Sequence, residues 1–104
     1  MHTKIFVMYN LREGVTLDDY KKWSREVDQQ ITPRQAPVNR FETYEIKGAD
    51  PGEPKFTIVE DIEVESWEAW NAAVEGEGMK RIVADWPTLA DESSAMTLYG
   101  ARIL

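Results

Sequence analysis

Cysteine is absent from the 104-residue sequence, and histidine occurs once, as His2. Without cysteine, disulfides, thiolate nucleophiles and thiolate metal sites are excluded. A lone histidine near the start of the chain leaves zinc, copper and haem centres without the ligands that they need. We therefore predict no metal site, and the lack of disulfides fits a cytoplasmic location.

Positive charge is also scarce, since 12 Lys and Arg residues face 19 Asp and Glu residues and the net charge is −7. A protein that binds nucleic acid or an anionic membrane surface needs a basic patch, so neither partner is expected. No apolar run approaches the roughly 18 residues of a membrane span. The glycines at 48–52 and 76–78 do not precede helices as a phosphate-binding loop requires.

What the sequence does contain is the pattern of one small domain, residues 1–104, with four strands and two helical regions. Alternating apolar residues between turn signals predict strands at 3–10, 38–46, 55–64 and 95–104. The order β-α-β-β-α-β is that of the ferredoxin-like fold, an α+β class with a four-stranded antiparallel sheet and both helices on one face.

The two helical regions carry their own start and stop signals. The first, residues 16–31, begins after the N-cap Thr16 and ends before Pro33. The second begins after Ser66, is interrupted by the glycines of 76–78, and is predicted to end at Pro87.

The first strand is apolar on both of its faces. Ile5, Val7 and Tyr9 point to one side, and Phe6 and Met8 point to the other. Two helices cover one face only, and the other would leave a large apolar patch in water. We therefore predict a homodimer in which two sheets pack face to face. The alternative is a monomer whose second face is interrupted by Glu45, Glu60 and Arg102.

Three stretches resemble the dimeric α+β barrel superfamily, which includes EthD-like and antibiotic-biosynthesis monooxygenase-like proteins. They are YKKWSREVDQQ (20–30), VNRFETYEI (38–46) and ESWEAWNAAVEGEGMKRIVADW (65–86). Within the superfamily, the whole chain is most similar to the REDY-like/HapK group. This resemblance implies a role in bacterial natural-product pathways of the prodiginine type. It implies condensation or cyclisation of an aromatic heterocycle, of the pyrrole or indole kind, without a cofactor.

Asp28 is the candidate acid or base. On a regular helix, Ser24 lies inside the apolar face and Asp28 lies on its margin, four residues on, where the two side chains can touch. A late position in the helix and partial burial both raise the pKa of a carboxyl. EthD-like relatives often have a histidine here, where this chain has Val27 and Asp28. The alternative is an ordinary solvated carboxylate.

Aromatic side chains are numerous enough to line a cleft for a flat apolar substrate. The candidates for substrate binding are Tyr20, Trp23, Tyr44, Trp70, Trp86 and Tyr99, with Arg40 as a partner for a substrate anion or for Asp28. Tyr9 joins Asp28 and Ser24 as a catalytic candidate, because a phenol hydroxyl orients substrates and passes protons. The alternative for each aromatic residue is core packing.

Three functions remain open. The first is a small enzyme without a cofactor that moves protons during condensation, cyclisation or dehydration. The second is a non-catalytic protein that binds a hydrophobic small molecule, and the third is a monooxygenase without a cofactor. A position of Asp28 inside the cleft favours catalysis, and a position in solvent favours binding alone.

Overall fold

The computed structural model describes residues 2–104, and its centre is a four-stranded antiparallel sheet with strand order β2-β3-β1-β4. The strands are β1 (Thr3–Leu11), β2 (Val38–Glu45), β3 (Ile58–Val64) and β4 (Ala90–Ala101). The predicted ferredoxin-like order is therefore confirmed. The β2–β3 hairpin is also present, although its loop is longer than predicted because β3 begins at Ile58 rather than at residue 55.

The first helical region begins with the predicted N-cap. Thr16 Oγ1 accepts the backbone N–H of Asp19, and the Asp19 carboxylate accepts the backbone N–H of Thr16. Four segments follow one another: α1 (Leu17–Trp23), a π-helical segment (Ser24–Asp28), α2 (Gln29–Ile31) and a 3₁₀ turn (Thr32–Arg34). No helix within residues 2–104 is long and apolar enough to cross a membrane.

The second helical region differs from its prediction at its end. It consists of α3 (Trp67–Glu75), a 3₁₀ turn (Glu77–Met79) and α4 (Lys80–Leu89). Pro87 lies inside the last turn of α4 rather than terminating it. A proline this close to the end interrupts little of the helical ladder, and its carbonyl oxygen accepts a hydrogen bond from Arg12.

Strand β4 starts at Ala90, directly after α4, five residues before its predicted start. The β1–β4 register shifts between Met8 and Asn10, where the backbone N–H of Asn10 donates to Ser94 Oγ. This irregularity accommodates the additional residues of β4. Residues 91–94 are all polar, so apolar alternation gives no strand signal there.

The helices cover one face of the sheet, as predicted, and the core lies between them. Ile5, Phe41 and Ile62 from the sheet pack with Val27 and Ile82 from the helices. A second cluster at the other end of the sheet contains Tyr9, Tyr20, Ile58 and Ala90.

The opposite face of the sheet, called the outer face below, carries the second set of apolar side chains. Phe6, Tyr44, Met96 and Leu98 lie there and are between 37% and 51% exposed. The monomer alternative placed Glu45 and Glu60 on this face, but they lie on the helix-covered face, opposite Ile58 and Val7 in the register. The charged residues that do lie on the outer face include Lys4 and Asp61, which form an ion pair at 2.9 Å.

Candidate functional site

The π-helical segment turns Asp28 into the protein. The backbone N–H of Gln29 donates to the carbonyl of Ser24, five residues earlier, which adds one residue to that turn. On a regular α-helix, Asp28 would lie on the margin of the apolar face. In the structure the residue is only 2% exposed. The solvated alternative for Asp28 is therefore wrong.

Glu60, on β3, is the second acidic residue of the site, and sequence reasoning missed it. It is 7% exposed and lies in the row of inward-facing residues that includes Ile58 and Ile62. The alternation of IVEDIEV contained the signal, because every second residue from Ile58 faces the core. Glu60 is the one carboxylate in this row, and a pattern defined by apolar residues alone does not include it.

Asp28 and Glu60 meet in a cavity of about 350 Å³ between the sheet, the π-helical segment and helices α3 and α4. The lining residues are Val7, Asp28, Thr32, Phe41, Glu60, Trp70, Val74, Met79, Ile82, Val83, Trp86, Pro87 and Glu92. Apolar and aromatic side chains dominate this wall, and a few polar groups converge in it. Such a composition is typical of small-molecule sites.

Burial controls the titration of the two carboxyls. Desolvation raises the pKa of Asp28 to about 6, and the Thr32 hydroxyl, which donates to Asp28 Oδ1 at 2.6 Å, opposes the rise. Desolvation raises the pKa of Glu60 further, to about 8, and the nearby charge of Asp28 adds to the effect. Near neutral pH the coupled pair therefore holds one proton.

Two tyrosines support Glu60 from behind the cavity. Tyr9 donates its hydroxyl proton to Glu60 Oε2 at 2.5 Å, and the hydroxyls of Tyr9 and Tyr20 are 2.7 Å apart. Because the Tyr9 proton goes to Glu60, Tyr20 is the donor to Tyr9. Burial and the charge of Glu60 raise the pKa of both phenols well above the ordinary value, so both stay neutral.

Two of the predicted aromatic residues, Trp70 and Trp86, line this cavity. Trp86 also packs edge-to-face on Tyr9, with ring centroids 5.2 Å apart. The roles of Trp70 and Trp86 in substrate binding stay predictions. The catalytic role of Tyr9 also stays a prediction, because Tyr9 does not line the cavity and contacts it only by its hydrogen bond to Glu60.

Ser24, Tyr20 and Trp23 lie elsewhere. Ser24 and Tyr20 border a second cavity, of about 360 Å³, between α1 and the edge of the sheet. The hydrogen-bond partner of Asp28 is Thr32 rather than Ser24, because the π turn changes which residues are neighbours on the helix surface. The Trp23 indole donates to Asp85 Oδ2 at 3.0 Å and packs on Tyr20.

Arg40, Tyr44 and Tyr99 are also outside the Asp28 cavity. Arg40 lies on the outer face 3.7 Å from Glu42, and the Tyr44 hydroxyl donates to the same carboxylate. The ring of Tyr99 stacks on Trp67 at 4.0 Å and is 58% exposed. Arg40 and Tyr44 alternate with Phe41, so the sheet places them on the opposite side from the cavity.

No three side chains of the His, Asp and Glu type converge closely enough within residues 2–104 to hold a metal ion. Besides the two indoles, the polar side chains that line the Asp28 cavity are Asp28, Glu60, Thr32 and Glu92.

This geometry can be set beside known proteins. A family described as REDY-like protein HapK matches residues 3–103, nearly the whole chain. The chain belongs to this family. No curated protein matches it significantly.

Solved structures share the fold of this HapK family member. HapK from Hahella chejuensis is 22% identical, with a TM-score of 0.80 over 99% of this chain and 93% of that one. An EthD family protein from Bacillus halodurans is 16% identical, with a TM-score of 0.77 over 99% of this chain and 100% of that one. A dimeric ferredoxin-like protein of unknown function from Thermobifida fusca is 9% identical, with a TM-score of 0.76 over 98% and 92% of the two chains.

Proposed function

We propose that the cavity binds a small aromatic heterocycle and that Asp28 and Glu60 move protons on it without a cofactor. The observation that carries this proposal is the pair of buried carboxyls, with pKa values raised to different extents, on the wall of one apolar cavity. Carboxyls tuned apart in this way divide the roles of acid and base near neutral pH. The chain belongs to the HapK family, and its sequence resembles proteins of pathways that act on pyrrole- or indole-type molecules. Both observations support a heterocyclic substrate.

The chemistry assigned to the pair is a condensation between an electron-rich ring carbon and a carbonyl carbon. Glu60 gives its proton to the carbonyl oxygen as the carbon–carbon bond forms, and Asp28 takes the proton from the ring carbon that was attacked. In one outcome the proton on Asp28 returns to Glu60 and the product is the alcohol. In the other, that proton joins the hydroxyl group, the C–O bond breaks and water leaves, and the ring N–H of the resulting cation gives its proton to Glu60. The hydrogen bond from Tyr9 orients Glu60 throughout.

We also propose that two copies of the chain pack through their outer faces. The half-exposed Phe6, Tyr44, Met96 and Leu98 form the apolar part of that surface. Two of the structures that share the fold are described as dimeric, which supports the same assembly here. The cavity opens on the helix side of the sheet, so this packing leaves it accessible.

Proton transfer is testable without knowledge of the natural substrate. In D₂O at neutral pD, the protein is expected to speed deuterium incorporation at the ring carbons of pyrrole and 2-methylindole, followed by proton NMR. Exchange at a ring carbon needs one group to deliver a deuteron and another to remove a proton, which are the roles given to Glu60 and Asp28. Asp28→Asn and Glu60→Gln should each lower the exchange rate at least about tenfold.

The matched control is Glu75→Gln, which neutralises an exposed carboxylate on α3 and should leave exchange unchanged. Binding of both heterocycles with no acceleration by the native protein would contradict catalysis and favour a protein that only binds the ligand. Equal exchange by the native protein and both cavity variants would remove the carboxyl pair from the chemistry.

A further inference from the structure

The charged side chains on the cavity wall restrict the chemical class of the ligand more than the apolar side chains do. Asp28, Glu60 and Glu92 are acidic, and no Lys, Arg or His side chain lines the cavity. The outer face shows the contrast, because there Asp61 lies 2.9 Å from Lys4. The two buried carboxyls therefore share a cavity whose described residues supply no compensating cation.

The carboxyl oxygens that remain free point to the missing partner. Thr32 donates to Oδ1 of Asp28, and Tyr9 donates to Oε2 of Glu60. Within residues 2–104 the second oxygen of each carboxyl has no protein donor. An ionised carboxylate in an apolar environment is costly unless it is paired or hydrogen-bonded. Each open oxygen is therefore a position where a ligand donor would stabilise the site.

The aromatic wall fits the same ligand. Trp70 and Trp86 line the cavity beside the carboxyls. Indole rings attract cations over their faces, and they also stack on flat apolar rings. A carboxylate or phosphate on the ligand would meet Asp28 and Glu60 with no opposing charge, and repulsion in this poorly solvated space would weaken its binding.

We infer that the cavity selects an aromatic molecule bearing a positively charged nitrogen, which donates to the open oxygen of Asp28, and rejects anionic analogues. The inference rests on the proposed function in taking this cavity as the ligand site. It goes further by fixing the charge of the ligand, and it assigns specificity to Asp28 in addition to proton transfer.

The test uses three ligands of nearly equal size and different charge: tryptamine, 3-propylindole and indole-3-propionate. Isothermal titration calorimetry of the native protein at pH 7.5 is expected to rank their affinities in that order. Tryptamine should bind at least about tenfold more tightly than 3-propylindole, as one charge-assisted hydrogen bond in a buried site allows. Indole-3-propionate should bind more weakly than the neutral compound.

Asp28→Asn keeps the size of the side chain and removes its charge, and it should abolish the preference for tryptamine over 3-propylindole. The same preference should persist in Glu75→Gln, which neutralises a carboxylate outside the cavity. Circular dichroism identifies any variant that fails to fold. In that case titrations of the native protein at pH 5, where Asp28 is largely protonated, replace the variant, with a reduced preference for tryptamine expected.

The remaining outcomes separate the two proposals. Equal binding of tryptamine and 3-propylindole would overturn the charge selection and leave the cavity as a site for aromatic ligands. A preference for tryptamine that persists in Asp28→Asn would overturn the role of Asp28. Binding of none of the three compounds would overturn the charge selection together with the assignment of this cavity to ligands of the indole class.

Discussion

Glu60 and Asp61 are consecutive residues, yet the two faces of the sheet treat them in opposite ways. Glu60 points to the helix side, where it is buried beside Asp28 and receives a hydrogen bond from Tyr9. Asp61 points to the outer face and pairs with Lys4. On the outer face a cation lies beside the acid, whereas the described lining of the inner cavity contains no cation and its two acids share a proton. Strand alternation therefore gives two consecutive acids opposite electrostatic surroundings.

Removing inner-face packing should have the largest effect on stability. Ile62, at the centre of the sheet, is fully buried, so Ile62→Ala is expected to lower the free energy of unfolding by about 2–5 kcal/mol. Urea denaturation measures the loss. Glu63→Ala, one residue on and facing the other side, is the control and should change stability little. Equal losses in the two variants would contradict the assignment of the faces.

The inner acids should make the protein less stable as the pH rises. Folding raises the pKa of Asp28 from 3.8 to about 6 and that of Glu60 from 4.5 to about 8, so the folded state holds protons that the unfolded chain has lost. Their stabilising contribution is complete below the unfolded values and is lost as the pH rises to about 8. Thermal melts at pH 5, 6.5 and 8 are expected to show this decline.

Glu60→Gln keeps the shape of the side chain, and the decline between pH 6.5 and pH 8 should become shallower in this variant. Asp61→Asn, the matched change on the outer face, should retain the decline of the native protein. A native protein that melts at the same temperature throughout this range would contradict the buried, coupled pair.

The Tyr9 hydroxyl lies on the helix-covered face and the Tyr44 hydroxyl lies on the outer face. Removing each one compares the contribution of a single hydrogen bond to stability on the two faces. Tyr9→Phe removes a buried donor to Glu60 and should lower the free energy of unfolding by about 1–3 kcal/mol, as expected when a buried hydrogen-bond partner is left unsatisfied. Tyr44→Phe removes an exposed bond to Glu42 and should have little effect. Chemical denaturation at pH 7 distinguishes the two, and a larger loss for Tyr44→Phe would reverse the comparison.

The smallest effect on the fold itself is expected from Leu98→Lys on the outer face. Leu98 is half exposed, so the substitution should change the free energy of unfolding of the single chain by less than about 0.5 kcal/mol. It places a charge in the proposed contact between two copies and should therefore convert dimers to monomers in sedimentation equilibrium. A native chain that sediments as a monomer at micromolar concentration would refute the assembly.

The fold was predictable because several independent local signals agree on it. The capping box at Thr16 and Asp19 and the alternation of β1 both describe what the structure contains. The site was predictable only in part. Asp28 and the two indoles of the cavity were identified. Tyr44 lies on the outer face, and Tyr99 lies on the helix-covered face but stacks on Trp67 outside the cavity.

Two features of the site are missing from the sequence prediction, for different reasons. The π turn depends on the packing of its side chains, and no spacing rule applied to Ser24–Asp28 distinguishes it from a regular helix. The inward orientation of Glu60 was predictable, because Glu60 occupies the same face as Ile58 and Ile62 in the alternation of β3. A buried carboxylate is rare enough that its polarity was taken as a sign of exposure.

Because the π turn contains one additional residue, the direction in which Asp28 points depends on the number of residues in this helical region. Deleting one residue from the stretch 24–27 would restore regular α-helical winding and rotate Asp28 by about 100° relative to α1. The connection between β2 and β3, which lies outside the cavity wall, has no such constraint. Changes in chain length are therefore tolerable in that hairpin loop and disruptive in this helix, whatever residues are added or removed.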